Sequence, residues 1–168
     1  MKVIAVIGRK RAGKTTLTAH LIKKLARPKT YIYDINNEYT RKFGCPNDYR
    51  GAINPDAFLA SVVNSKNACI VFEEATTYFS NKGREKELVD LLYRSRHTNN
   101  VCILIFHSLA DYPRYIYSGT DFIGLFKTND FRQTLDGKFR KNELFIGIWD
   151  RVRLNPSPHY FEFFENTN

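Results

Sequence analysis

Residues 6–22 read VIGRKRAGKTTLTAHLI. Two periodicities meet in this stretch. Val3 to Ile7 is a short β-branched apolar run that stops at Gly8, which predicts a buried strand. From Lys14 onward, Leu17, Leu21 and Leu25 recur at steps of four with Ile22 beside them. That is one apolar helix face, and Pro28 closes the segment. Between strand and helix stand Gly8 and Gly13 and four cations, Arg9, Lys10, Arg11 and Lys14. So much positive charge at the start of a helix calls for an anion, because unpaired backbone N–H groups already make that end positive.

The spacing Gly8-x-x-x-x-Gly13-Lys14-Thr15 is the P-loop pattern, and it has the strand before and the helix after that the pattern requires. The glycines let the backbone of Gly8, Arg9, Lys10, Arg11, Ala12, Gly13, Lys14, Thr15 and Thr16 turn its N–H groups toward phosphate oxygens. Lys14 is expected to reach the β- and γ-phosphates, and Thr15 to hold Mg²⁺ through its hydroxyl. The expected ligands are therefore ATP and Mg²⁺. Arg9, Lys10 and Arg11 fill the variable positions, adding positive potential or facing a neighbouring subunit.

Working outward, TYIYDI (30–35), ACIVFEEAT (68–76), VCILIF (101–106) and DFIGLF (121–126) predict four more strands. Asn54 followed by Pro55 starts a helix to about Val63. Another helix is expected near Arg84 to Ser95, and Leu144, Phe145, Ile148, Trp149 and Val152 fall at helical spacing. HYFEFFE (159–165) alternates like an edge strand, and the polar, basic segment NNEYTRKFGCPNDYRG predicts an exposed loop. Strands alternating with helices give an α/β fold, a mainly parallel sheet flanked by helices on both faces. No domain boundary is visible, so residues 1–168 are expected to form one domain.

The third strand ends in Glu73-Glu74. Ligands of such sheets sit beyond the carboxyl ends of the strands, so both acids are within reach of the P-loop. Glu73 is expected to support Mg²⁺, and Glu74 to take the proton of an attacking water. Asp34 and Glu38 belong on the same rim, as supporting groups or as loop solvation and capping. RSRHTNN puts Arg94 and Arg96 at a helix end, where they favour the macrodipole or reach a neighbour's γ-phosphate. His107-Ser108 ends the fourth strand and faces the phosphates if that strand lies beside the P-loop strand. His20, His97 and His159 show no metal-ligand spacing with cysteine.

The formal net charge is +9, from 26 Lys+Arg against 17 Asp+Glu, which favours polyanionic partners, nucleic acid above membrane. Cys45, Cys69 and Cys102 form no CxxC pair, and Cys69 and Cys102 sit in apolar runs, which fits a reducing cytoplasm. No stretch approaches the ~20 apolar residues of a membrane span, and no signal peptide is expected.

Assembled in order, GRKRAGKTT, YIYDINNEY, CIVFEEATTYF, LLYRSRHTNNVCILIFHSL and DFIGLFKTND resemble the FtsK–HerA superfamily of P-loop motor ATPases, and the small viral genome-packaging ATPases in particular. The resemblance covers about Val3 to Asp130. It implies Lys14 and Thr15 as phosphate and Mg²⁺ ligands, Glu73 as the Walker B acid and Glu74 as the catalytic glutamate. It further implies Arg96, or Arg94, as the arginine acting between subunits, and His107 in the place of a sensor Gln. Two departures stand out: Glu73 replaces the usual Asp, and the sensor is His-Ser. The resemblance implies a hexameric ring that threads DNA, holding its backbone without reading sequence, with capsid components as partners and the host cytoplasm or virion as its location. Arg41, Lys42, Arg50, Lys82, Arg84 and Lys86 are the candidate DNA contacts. The rivals are a small-molecule or nucleotide kinase and a Zot-type phage morphogenesis ATPase. Glu73-Glu74 and the lack of an arginine-rich lid weigh against the first, and the absence of an apolar span against the second.

Overall fold

The structure, a computed structural model, describes residues 2–80, 82–139 and 143–166; within them the Arg96 and Lys138 side chains lie outside the described set. Six strands form one sheet: β1 (Lys2–Ile7), β2 (Lys29–Tyr33), β3 (Ala68–Phe72), β4 (Val101–Phe106), β5 (Phe122–Phe126) and β6 (Phe161–Glu165). Their order across the sheet is β2-β3-β4-β1-β5-β6. The first five run parallel and β6 returns antiparallel beside β5. The central strands are buried on both faces, which is why they read as unbroken apolar runs rather than alternating ones. Strand β6 alternates, as an edge strand covered on one face should.

Alternate residues of β1 feed two cores. Ile4 and Val6 pack under α1 (Lys14–Leu25) and α2 (Glu38–Phe43), with Ala19, Ile22, Tyr39 and Cys45. Val3, Ala5 and Ile7 face the layer built by α3 (Pro55–Val62), α4 (Thr76–Phe79), α5 (Lys82–Thr98), α6 (Arg114–Gly119), α7 (Arg132–Phe139) and α8 (Glu143–Leu154). Helices thus cover both faces, as the alternation of the sequence predicts. Helix α1 keeps its expected bounds, and Asn54 caps α3 by accepting from the Asp56 and Ala57 N–H groups.

The expected loop after β2 is in part a helix. Helix α2 is one and a half turns long, too short to show a period, and it buries Tyr39. Gly44 ends it in the left-handed region at φ 61°. The rest of the segment is stitched to the sheet edge. The Asn47 side chain exchanges hydrogen bonds with the Ile32 backbone (3.0 and 3.1 Å), and Asp48 accepts from the Thr30 N–H at 2.7 Å. The outer edge of β2 is therefore covered rather than exposed. Cys45, Cys69 and Cys102 are buried free thiols, and burial pushes Cys69 and Cys102 up to about 12. Among the described residues no helix is long and apolar enough to cross a membrane.

Candidate functional site

The sheet order decides the site. Strand β1 lies between β4 and β5, and β3 lies next to β4. The segments leaving the carboxyl ends of β1, β3, β4 and β5 therefore converge on one rim, and they carry Gly8, Glu73-Glu74, His107 and Lys127. The P-loop is pinned between its neighbours: the Gly8 N–H donates to the Phe106 carbonyl at 3.1 Å and the Arg9 N–H to the Lys127 carbonyl at 2.8 Å. Gly8 is required by contact, since a Cβ there would stand 2.5 Å from Phe126 Cβ. Gly13 is required by conformation, at φ 108°, and the left-handed Arg11 at φ 64° bends the loop two residues earlier. Gly13 caps α1 without any side chain of its own, so the first N–H groups of the helix stay open to an anion.

Lys14 is buried, and its ammonium folds back over the loop. It donates to the Gly8 carbonyl at 2.6 Å and the Arg9 carbonyl at 3.0 Å, and it meets His107 Nδ1 at 3.2 Å. The other ring nitrogen, Nε2, lies 3.1 Å from Glu74 Oε1. Lys14 has only donors, so Nδ1 accepts, and the ring proton sits on Nε2 and is donated to Glu74. One line of hydrogen bonds thus joins Lys14, His107 and Glu74, residues 33 and 93 positions apart pairwise in sequence. Burial pushes the Lys14 ammonium down from 10.5 to about 8, although the Glu74 and Glu73 carboxylates pull the other way.

Glu73 sits beside Glu74 in a more acidic setting. Burial raises its carboxyl from 4.5 to about 7, and the charges of Asp34, Glu38 and Glu74 add to the effect, against the opposing Lys14 ammonium. Asp34 is buried; one carboxylate oxygen accepts the Tyr39 N–H at 2.8 Å and the other has no protein partner. Asp34 and Glu38 therefore do belong to the rim around Glu73, as their place after β2 predicts. Ser108 turns away and bonds Asp111 at 2.7 Å. Arg94 is exposed on α5, and the Arg96 backbone lies near the end of that helix while its side chain falls outside the described residues.

A cavity of about 860 Å³ opens over the second half of the P-loop. Arg11 to Thr16 form its base, Lys42 and Phe43 of α2 one wall, and Phe126, His159 and Phe161 another. Lys42 was expected at DNA, and Phe43, Phe126, His159 and Phe161 had no place in the site expected from sequence. His159 is 147 positions from its contact on the loop, the Ala12 carbonyl, at 3.3 Å. The edge-strand alternation of 159–165 was the one signal that bore on it.

No protein-family model and no curated protein sequence matches the chain. Solved structures do match, among them those of the genome packaging NTPase B204 from Sulfolobus turreted icosahedral virus 2. Its complex with ATP-gammaS superposes with a TM-score of 0.71 at 16% identity, covering 98% of this chain and 92% of that one. Its complex with AMPPCP gives 0.72 at 15%, with the same coverage. Its complex with sulfate gives 0.73 at 15%, covering 98% and 91%. At such identities the likeness is one of fold, and that fold is the P-loop NTPase fold.

Proposed function

We propose that this chain is an ATP-hydrolysing motor subunit that moves DNA, of the genome-packaging kind. The observation that carries the reading is the line Lys14–His107–Glu74 beside a complete P-loop, at the ends of three adjacent strands. The neighbour of the same fold, described as a genome packaging NTPase and solved with ATP-gammaS, AMP and AMPPCP, supports it.

In this reading the triphosphate lies along the loop from Gly8 to Thr16, held by backbone N–H groups and the α1 terminus. Lys14 exchanges its carbonyl partners for β- and γ-phosphate oxygens, and its charge is restored by theirs. Glu74 takes the proton of the attacking water as the γ-phosphoryl group leaves the β-phosphate oxygen. His107 keeps the Glu74 carboxylate at a fixed place relative to Lys14 and so to the γ-phosphate. The hydroxyl of Thr15 and the carboxylate of Glu73 fit Mg²⁺, a cation that takes hard oxygens and few protein ligands. No cluster of three or more acidic, His or Cys ligands is found among the described residues. The crowding of Glu73 by Asp34, Glu38 and Glu74 is the excess negative charge that a divalent ion offsets. When bound, Mg²⁺ would neutralise charge on the β- and γ-phosphate oxygens.

The remaining parts of the reading concern partners. Arg96, at the end of α5, is assigned to the γ-phosphate of an adjacent subunit in a hexameric ring. Arg41, Lys42, Lys82 and Lys86 are exposed and are assigned to the DNA backbone. Arg84 is a weaker candidate than its sequence suggests, because both oxygens of Asp56 engage its guanidinium, at 2.5 and 2.9 Å. The net charge of +9 suits a grip that ignores sequence. Phosphate release measured with and without DNA tests the reading. Stimulation by DNA, weakening steeply with salt, is the expected result. Phosphoryl transfer to a nucleoside or metabolite, with no response to DNA, would replace the motor by a kinase.

The role of His107 has its own test. A glutamine offers one acceptor and one donor, so His107→Gln can accept from Lys14 and donate to Glu74 as the imidazole does. We expect His107→Gln to keep kcat within about threefold and His107→Ala to lose about tenfold, the worth of a hydrogen bond to a charged group. Equal losses in both variants would remove the bridging role.

A further inference from the structure

We propose that the base of the bound nucleotide stacks on the C-terminal segment, against His159 and Phe161, and that the chain reads the face of the base and not its edge. It rests on the nucleoside triphosphate reading above and adds to it which end of the cavity takes the base and which bases are accepted.

Direction comes from the sheet. Glu74 and His107 mark where the γ-phosphate must lie, and both leave strands on the β3–β4 side of β1. A triphosphate extended along the loop has its other end on the opposite side of β1, where β5 and β6 lie. The cavity over Arg11 to Thr16 continues to that side and ends at Phe126, His159 and Phe161.

That wall is a stacking surface. Phe126 and Phe161 stack with ring centroids 4.7 Å apart and planes at 24°. Phe126 is buried beneath, at 2% exposure, while Phe161 stays 37% exposed. His159 is set beside them by a turn in which the Tyr160 N–H donates to the Ser157 carbonyl, and its ring is held against the loop by the Ala12 carbonyl. Gly13 clears the way between loop and wall: a Cβ there would lie 3.3 Å from the Phe126 ring and 3.9 Å from His159.

On the β5–β6 side of the cavity, His159 is the one polar side chain among the described lining residues; the hydroxyls, cations and second imidazole of the lining, Arg11, Lys14, Thr15, Thr16, His20 and Lys42, belong to the loop, α1 and α2. Among the described residues around this cavity there is no Asn, Gln or Asp. Its one carboxylate, Glu38, is on the far side with α2, near Glu73. Guanine is normally told from adenine by groups that pair with the exocyclic amine or oxygen of its edge. A wall of rings and methylenes stacks on either purine, because every base has a π-face, and more strongly on the larger ring system than on a pyrimidine. The ligand class is thus purine nucleoside triphosphates, adenine and guanine alike.

The test measures the affinity of the full chain for ATP, GTP, CTP and inorganic tripolyphosphate, in wild type, His159→Ala, Phe161→Ala and His159→Phe. Wild type is expected to bind ATP and GTP within about threefold of one another and CTP more weakly. His159→Ala and Phe161→Ala are expected to lose about tenfold for ATP and GTP and nothing for tripolyphosphate, a loss typical of one stacking contact. His159→Phe should restore ATP binding, since it keeps a ring. His159 is exposed, so its variants report without the cost to folding that Phe161→Ala brings at the sheet edge. If His159→Ala binds ATP as wild type does, the base lies elsewhere and the proposal falls while the nucleotide reading stands. A preference of more than about thirtyfold between ATP and GTP would equally overturn it, because stacking cannot supply that. If wild type binds tripolyphosphate but no nucleotide more tightly, the base contributes nothing and the proposal fails. If it binds none of the four, the nucleotide reading itself has failed.

Discussion

Lys14→Ala is expected to abolish ATP turnover and to weaken ATP binding by about 10²–10⁴-fold, the loss of charge-assisted bonds to two phosphates at about 1.5–3 kcal/mol each. The fold should survive. The ammonium is buried at a cost, shown by the fall of its pKa to about 8, so removing it takes away a desolvation penalty along with the bonds to Gly8 and Arg9. The same shift sets a pH signature. Without nucleotide, Lys14 loses its proton around pH 8 and not near 10.5. Phosphate oxygens favour the charged form, so binding above pH 8 takes up a proton. ATP affinity should be flat below pH 8 and fall by up to about tenfold per unit above it. Calorimetry in buffers of different ionisation heat measures that uptake directly. A variant Lys14→Ala that still turns over ATP would remove the P-loop assignment, and an affinity that rises between pH 8 and 10 would refute the linkage.

Glu74→Gln is expected to lower kcat by about 10²–10⁴, the usual worth of a general base, with ATP affinity unchanged within about threefold. The two effects should separate because the substitution keeps the architecture. The His107 Nε2–H that donates to Glu74 Oε1 finds an amide oxygen of the same shape, so the line to Lys14 persists. What is lost is a site for the water's proton. The variant should therefore accumulate in the ATP-bound state, seen as retained nucleotide after gel filtration. Full hydrolysis by Glu74→Gln would mean that another group activates the water, with Glu73 next in place.

Much of this was legible along the chain, where the signal is local. A strand, a glycine turn and an amphipathic helix are each set by neighbours within a few residues, so α1 and β4 keep their predicted bounds. Glu73-Glu74 could be placed on the rim because five apolar residues force a buried strand to end there. Helix α2 was not legible. Its six residues give no period, and it is held by packing from elsewhere, with Tyr39 buried among residues of β1 and α1 and the Ala19 carbonyl accepting from the Cys45 thiol just beyond it. The resemblance to the packaging motors named His107 as the odd residue in the sensor position without saying what it does. Its part became visible only when the strand order set it between Lys14 and Glu74.

By itself, then, the sequence determined the phosphate cradle, the strand-by-strand order of the α/β chain and the two carboxylates, because backbone turns and hydrophobic period are local properties. Tertiary structure alone decided which strands are neighbours, and hence the hydrogen-bonded line through His107. It also decided that residues 159–161, at the far end of the chain, close the cavity that the loop of residues 8–16 opens. Contacts between residues more than a hundred positions apart follow from how the sheet is assembled, and no spacing within the sequence encodes them.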